Sequence, residues 1–245
     1  MRNFLFDLIQ HSQNLGFLST VKISATPETT SIQSLAEDKS VIMTGETLEP
    51  IQEFSGVFGM SQLNKLKFLL EGSEYKQDAK ISLLKTKKDD PSIPTGLRFE
   101  NKDCDFKNDF RFMNTEIINE KLKNVTFKGA NWNITTSPSL SAIQRFAFQA
   151  SVNSEHPTFL AKTNGSDLVF VFGDDASHGG EFVFSHNVNG SLTRGWLWPV
   201  SQLLAILKLA ETDNTILKIS DEGVIMLSLE STIAKYDYII PAKAT

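Results

Sequence analysis

The sequence predicts an α+β chain of two tandem, similar domains, each with two helices packed on antiparallel sheets. Three observations predict it. First, a helix-to-strand unit occurs twice: Ser61/Ser201, Gln62/Gln202, Leu63/Leu203, Leu69/Leu209 and Glu71/Glu211 are identical, and Lys80-Ile81-Ser82 returns as Lys218-Ile219-Ser220. Second, four segments place apolar residues at helical spacing, with alternating strand-like runs between them. Third, another block of helix and strands precedes each copy, so a tandem duplication accounts for the order of elements.

The first helical segment is 2–15, with Leu5, Leu8, Ile9 and Leu15 on one side and Asn3, Asp7, Gln10 and Asn14 on the other. The strand runs TVKISA, TSIQSLA and SVIMTGETL follow it. The second helix, about 59–71, carries Met60, Leu63, Leu66 and Leu70, and leads into AKISLLK, TGLRFEN and DFRFMN. The third, about 138–151, opens with Ser137 placed to cap it and Pro138 at its first position, where a missing N–H costs nothing. TFLAKT, DLVFVFGDD and GEFVFSHNV follow. The fourth, about 199–211, starts at Pro199 and turns Val200, Leu203, Ile206, Leu207 and Ala210 inward before TILKISDEG, VIMLSLES and YDYIIPA. Asn164-Gly165, Asn189-Gly190 and Asp221-Glu222-Gly223 suit tight antiparallel turns. The polar stretch 115–130 reads as a connector, with a short surface helix as the alternative. The domains are therefore expected at 1–114 and 131–245.

Composition limits the function classes. A chain of 245 residues, 40% hydrophobic and 22% charged, has room for two domains. A net charge of −5 argues against a generally basic nucleic-acid coat, although a basic lining could sit inside an acidic exterior. The lone cysteine, Cys104, rules out an intramolecular disulfide and a cysteine-rich zinc site, which fits a reducing compartment. Asp7, Gln10 and His11 interrupt the apolar N-terminal run too early for a signal peptide, and no stretch approaches membrane-spanning length. A cytoplasmic location is expected, in the host cell if the chain is phage-encoded.

Catalytic signatures are absent. The four histidines have no metal-ligand spacing, and there is no nucleophile elbow, phosphate loop or dinucleotide fingerprint. DDASHGGE at 174–181 gathers Asp174, Asp175, His178 and Glu181, but its glycines suit a hairpin loop better than a metal site. A non-enzymatic protein without cofactors is expected.

With the repeat and element order in hand, the chain resembles the ring-shaped DNA sliding clamps, in the two-domain form of the eukaryotic and archaeal clamp and of tailed-phage clamps. The resemblance spans nearly the whole chain in element order. It is sharpest in SLAEDKSVIMTGETL (34–48), MSQLNKLKFLL (60–70) and YDYIIPA (236–242), and DNTILKISDEGVIMLSLE fits the family's late hairpin. The stretch 85–114 departs from the family, being long and rich in Lys and Asp around KTKKDDPSIP.

The resemblance implies the DNA-clamp fold and a homotrimeric ring encircling double-stranded DNA, without sequence preference, to tether a replicative DNA polymerase. An ATP-driven clamp loader would open the ring. Helices would line the hole, placing Arg2, Lys65, Lys67, Arg145 and Lys208 toward phosphates. Read from the residues alone, these are solvated faces of amphipathic helices. The first helix adds Gln10, His11 and Gln13 to that face. A pocket for partner peptides would use Leu35, Val41, Ile117, Ile118, Leu122, Tyr238, Ile240 and Pro241. Subunits would join through edge strands carrying Phe110 and Phe112 in one domain and Phe182 and Phe184 in the other, although alternating Phe on a strand also reads as plain core. Two other classes stay open: a Phe-rich, β-rich viral structural or assembly protein with no DNA role, and a monomeric processivity factor holding DNA by a basic face, against which the acidic total weighs.

Overall fold

The computed structural model describes residues 1–76, 78–85, 93–123, 127–174, 176, 178–210 and 215–243. The chain divides into two compact units, one of Met1–Thr126 with Ser231–Tyr236, the other of Phe127–Glu230 with Asp237–Thr245.

In the first unit, chain order runs α1 (Arg2–Gln10), β1 (Val21–Ala25), β2 (Thr30–Leu35), β3 (Ile42–Thr47), β4 (Gly56–Met60), α2 (Leu63–Glu71), β5 (Lys80–Lys85), β6 (Pro94–Glu100), β7 (Lys107–Arg111) and α3 (Thr115–Lys121). One antiparallel sheet has the order β4-β1-β2-β3, with Val21 opposite both Ser34 and Met60. A second sheet is β5-β6-β7. Alternation sets the faces: Val21, Ile23 and Ala25 point inward, while Lys22 and Ser24 stay half-exposed. Phe4, Leu5, Leu8 and Ile9 of α1 and Leu63, Leu66, Leu69 and Leu70 of α2 are buried. Edge-to-face contacts from Phe4 to Phe54 (5.7 Å) and Phe54 to Phe58 (5.2 Å) tie α1 to β4, and Phe58 stacks on Phe112 at 4.5 Å. Gly59 is required by close approach: a Cβ there would lie 2.8 Å from Ile118, so only glycine lets α3 seat on β4.

The second unit contains β8 (Ile134–Thr136), α4 (Leu140–Val152), β9 (Thr158–Asn164), β10 (Asp167–Phe172), β11 (Gly180–Ser185), β12 (Leu197–Pro199), α5 (Val200–Leu207), β13 (Thr215–Ser220) and β14 (Val224–Glu230). Its sheets run β11-β10-β9-β12 and β14-β13-β8. The last strand, β15 (Ala234–Pro241), is divided between the units: Ala234–Tyr236 belong to the first and Asp237–Pro241 to the second. An aromatic cluster fills this unit. The Phe146 ring of α4 lies 5.2 Å from Phe159 and 5.6 Å from Phe170, and Phe170 stacks on Phe184 at 4.3 Å.

The α+β class, with helices on antiparallel sheets, is the one the sequence predicts. Several element bounds differ. The first helix ends at Gln10, and Leu15 is buried from a separate short turn, Gln13–Leu15. Met60 closes β4 rather than opening α2. Ser139, not Ser137, caps α4, its Oγ accepting from the Ala142 N–H at 3.1 Å. The fourth helix stops at Leu207, short of Ala210. The 115–130 stretch begins with α3, capped by Asn114, whose Oδ1 accepts from the Ile117 N–H at 3.0 Å.

His11 also differs from its expected exposed position. It is 4% exposed and stacks on Tyr236 at 4.1 Å, and Tyr236 donates its hydroxyl proton to Asp7 at 2.7 Å. Burial lowers the His11 pKa below the ordinary value of 6.5, and Asp7 only partly opposes this. The folded state therefore resists a proton that the unfolded chain accepts. Stability is expected to be full above pH 6.5 and to fall as acid takes pH below it, toward the depressed folded value. Glu100 and Asp109, held ionised by Lys107 and Arg98, add losses only at more acidic pH. Denaturant titrations across this range check it: His11→Phe keeps the ring stack and should flatten the upper part of the slope.

Candidate nucleic-acid and partner surfaces

Helices expose the cations the sequence nominates, in unequal degrees. Lys65, Arg145 and Lys208 are exposed, while Arg2 and Lys67 are half-buried. The Arg2 guanidinium donates to the Leu70 carbonyl at 3.0 Å and lies 5.3 Å from the centre of the Phe6 ring. It satisfies a carbonyl at the C-terminal end of α2, where a cation is favoured. Arg2 thus has structural work within the first unit. Lys67 donates to Asn14 Oδ1 at 2.8 Å, fixing α2 to the segment after α1. Arg145 sits over the Phe182 ring at 5.5 Å, on the side of α4 that meets β11. Lys208 closes α5 as its C-cap residue.

The pocket candidates divide by unit. In the first, Ile118 and Leu122 form a small buried cluster against Leu35, Ile42, Val57 and Met113. Val41 is buried beside it in sequence, and its carbonyl accepts from the Ala36 N–H at 2.9 Å, closing the β2–β3 turn. Ile117, one residue from Ile118, is 53% exposed. In the second unit Tyr238 and Ile240 are fully buried on β15, and Pro241 is exposed at its end.

Phe110, Phe182 and Phe184 are buried in the cores of their own units, and Phe112 is half-buried against Phe58. The strands that carry or precede them are edges: among the described residues, β7 pairs only with β6, and β11 only with β10. What these edges add to the surface comes from neighbouring helices. Phe68 of α2 is 75% exposed and Phe148 of α4 is 67% exposed. A cavity of about 350 Å³ adjoins Phe68, floored by Leu69, Tyr75 and Phe106; another of about 330 Å³ lies among Arg145, Phe148, Glu181 and Phe182. The sequence did carry a signal for these residues, since both break the polar face of an otherwise amphipathic helix.

The acidic 174–181 loop does not form a metal centre among the described residues. The His178 carbonyl contacts the His156 ring at 2.6 Å, Glu181 pairs with Lys162 at 3.1 Å, and Asp175 lies outside the described residues. No helix among the described residues is long and apolar enough to cross a membrane.

No family model matches the sequence, and no curated protein matches it. Solved structures do match in shape. The PCNA of Thermococcus kodakaraensis superposes with a TM-score of 0.69 over 99% of this chain and 97% of that one, at 13% identity. PCNA of A. fulgidus, solved with the C-terminal region of FEN-1 bound, gives a TM-score of 0.69 over 98% of this chain and 96% of that one, at 9% identity. The chain has the sliding-clamp fold.

Proposed function

We propose that three copies of this chain close into a ring around double-stranded DNA and tether a DNA polymerase for processive synthesis, with an ATP-driven loader opening the ring. The observation that carries this reading is the clamp fold, shared over 99% of the chain, including both halves of the internal repeat. A ring around a helical duplex calls for equivalent wall segments, and a duplicated helix-and-sheet unit supplies them. The role needs no catalytic group.

Arg2, Lys65, Lys67, Arg145 and Lys208 are the residues proposed to face the duplex. Few cations in an acidic chain suit a protein held by topology, since loose phosphate contacts permit sliding. The edges of β7 and β11, backed by Phe110, Phe112, Phe182 and Phe184, are proposed to join neighbouring copies, which would cover two open rows of backbone donors and acceptors. Leu35, Val41, Ile117, Ile118, Leu122, Tyr238, Ile240 and Pro241 are proposed to receive partner peptides. The FEN-1 segment bound to the A. fulgidus protein supports a peptide-docking role for this fold.

Native mass measurement tests the assembly. A species of three 27.3-kDa chains is expected at micromolar concentration; a monomer at every concentration, or open-ended polymers, would contradict the ring.

A further inference from the structure

We infer that the contact between copies is an aromatic one, in which Phe148 of one chain enters the Phe68-lined cavity of the next; this rests on the ring reading above. Two faces of the chain are unfinished in the same way. Each has an edge strand, β7 or β11, that among the described residues is hydrogen-bonded on one side only. Each has a helix alongside, α2 or α4, that raises one phenylalanine into solvent, Phe68 at 75% and Phe148 at 67% exposure. Single exposed apolar residues are ordinary, but a large exposed ring beside both a cavity and an open strand edge is the pattern of an uncovered interface.

The two faces are different, which selects the occupant. The α2 face is concave: its cavity of about 350 Å³ has Tyr75 and Phe106 as an aromatic floor, their rings 5.9 Å apart. Asn108 donates to the Tyr75 hydroxyl at 2.8 Å, leaving the floor polar only at its margin. The α4 face has a cavity of similar size, about 330 Å³, but polar side chains line most of it, Ser141, Gln144, Arg145, Gln149 and Glu181, and Phe148 stands beside it as a knob on an exposed stripe with Ser141, Arg145 and Val152. Each rim carries one cation and one anion, Lys65 with Glu74 and Arg145 with Glu181, so neither face repels a second copy of the chain. Because cavity and knob lie on different units of one chain, copies join head to tail, and such an association either closes into a ring or grows without end. A second copy of this chain is therefore the occupant.

The test uses the full chain. Phe68→Ser and Phe148→Ser, made separately, should each raise the concentration at which the trimer dissociates by at least tenfold. Both side chains are exposed, so the thermal transition of the dissociated chain should not move. In a Cys104→Ser background, Phe68→Cys with Phe148→Cys should form a crosslinked ladder ending at three chains on mild oxidation, and neither single cysteine variant should crosslink. Trimers that withstand both serine variants would overturn the aromatic contact and leave the ring intact. Crosslinking by one cysteine alone would replace the head-to-tail arrangement with a face paired to itself. A chain that is monomeric before any substitution would remove the ring reading, and this contact with it.

Discussion

Replacing Phe146 by alanine is expected to lower the unfolding free energy of the second unit by about 3–5 kcal/mol, the cost of deleting a fully buried aromatic side chain. The magnitude follows from its neighbours. The Phe146 ring is buried among Phe159, Phe170, Phe172 and Phe182, with centroids between 5.2 and 6.4 Å away. These partners come from three strands, β9, β10 and β11, that cannot all move to fill the hole, so transfer and cavity costs add. Gln144→Ala, exposed on the same helix, should stay within about 0.5 kcal/mol of the unaltered chain. All three tryptophans, Trp132, Trp196 and Trp198, belong to the second unit, so their fluorescence in urea reports its unfolding directly. Equal midpoints for the two variants at one protein concentration would mean that this aromatic cluster does not hold the unit together.

The second large effect is on DNA. Lys67→Glu combined with Lys208→Glu should weaken association with linear duplex at low salt by about tenfold or more, because each lysine lost from a phosphate contact also forfeits its counterion release. A plot of log affinity against log salt should flatten by about one unit for each lysine in contact. These two are chosen because neither borders the aromatic cavities, so native mass should be unchanged. Lys67 gives up a bond to Asn14, an exposed contact of small energetic weight. Unaltered affinity and slope would place the duplex away from α2 and α5.

The sequence made the class and repeated order of elements legible because amphipathic helices and alternating strands have distinct periods. Leu63, Leu66 and Leu70 mark α2, and Val200, Leu203, Ile206 and Leu207 mark α5, and all are buried. What escaped was short or locally ambiguous. Strands β8 and β12 have three residues each, too few to show alternation. Gly56–Met60 is glycine-interrupted and adjoins a helix, so its last residue was absorbed into the helical stripe. Ser137 and Ser139 both have the chemistry of a cap, and only backbone geometry distinguishes them.

Site residues were harder to read for a different reason. Leu35 and Ile118 meet although they are far apart in the chain, and no periodicity encodes such a contact. His11 looked like a surface residue because its partner, Tyr236, lies near the other end of the sequence. The alternating phenylalanines of β11 read equally as core or interface, and burial assigns Phe182 and Phe184 to the core. Phe68 and Phe148 fell off their apolar stripes, and that misfit became meaningful only once each was seen beside an open strand edge.

Retention on DNA of different topology tests the central claim most directly. Loaded onto closed circular duplex, the ring should persist when salt is raised to about 1 M, where the Debye length shrinks to about 3 Å and surface charge attraction is largely screened. Linearising that DNA at the same salt should release it through the free ends. Equal loss from circular and linear duplex as salt rises would show ordinary electrostatic binding and contradict encirclement.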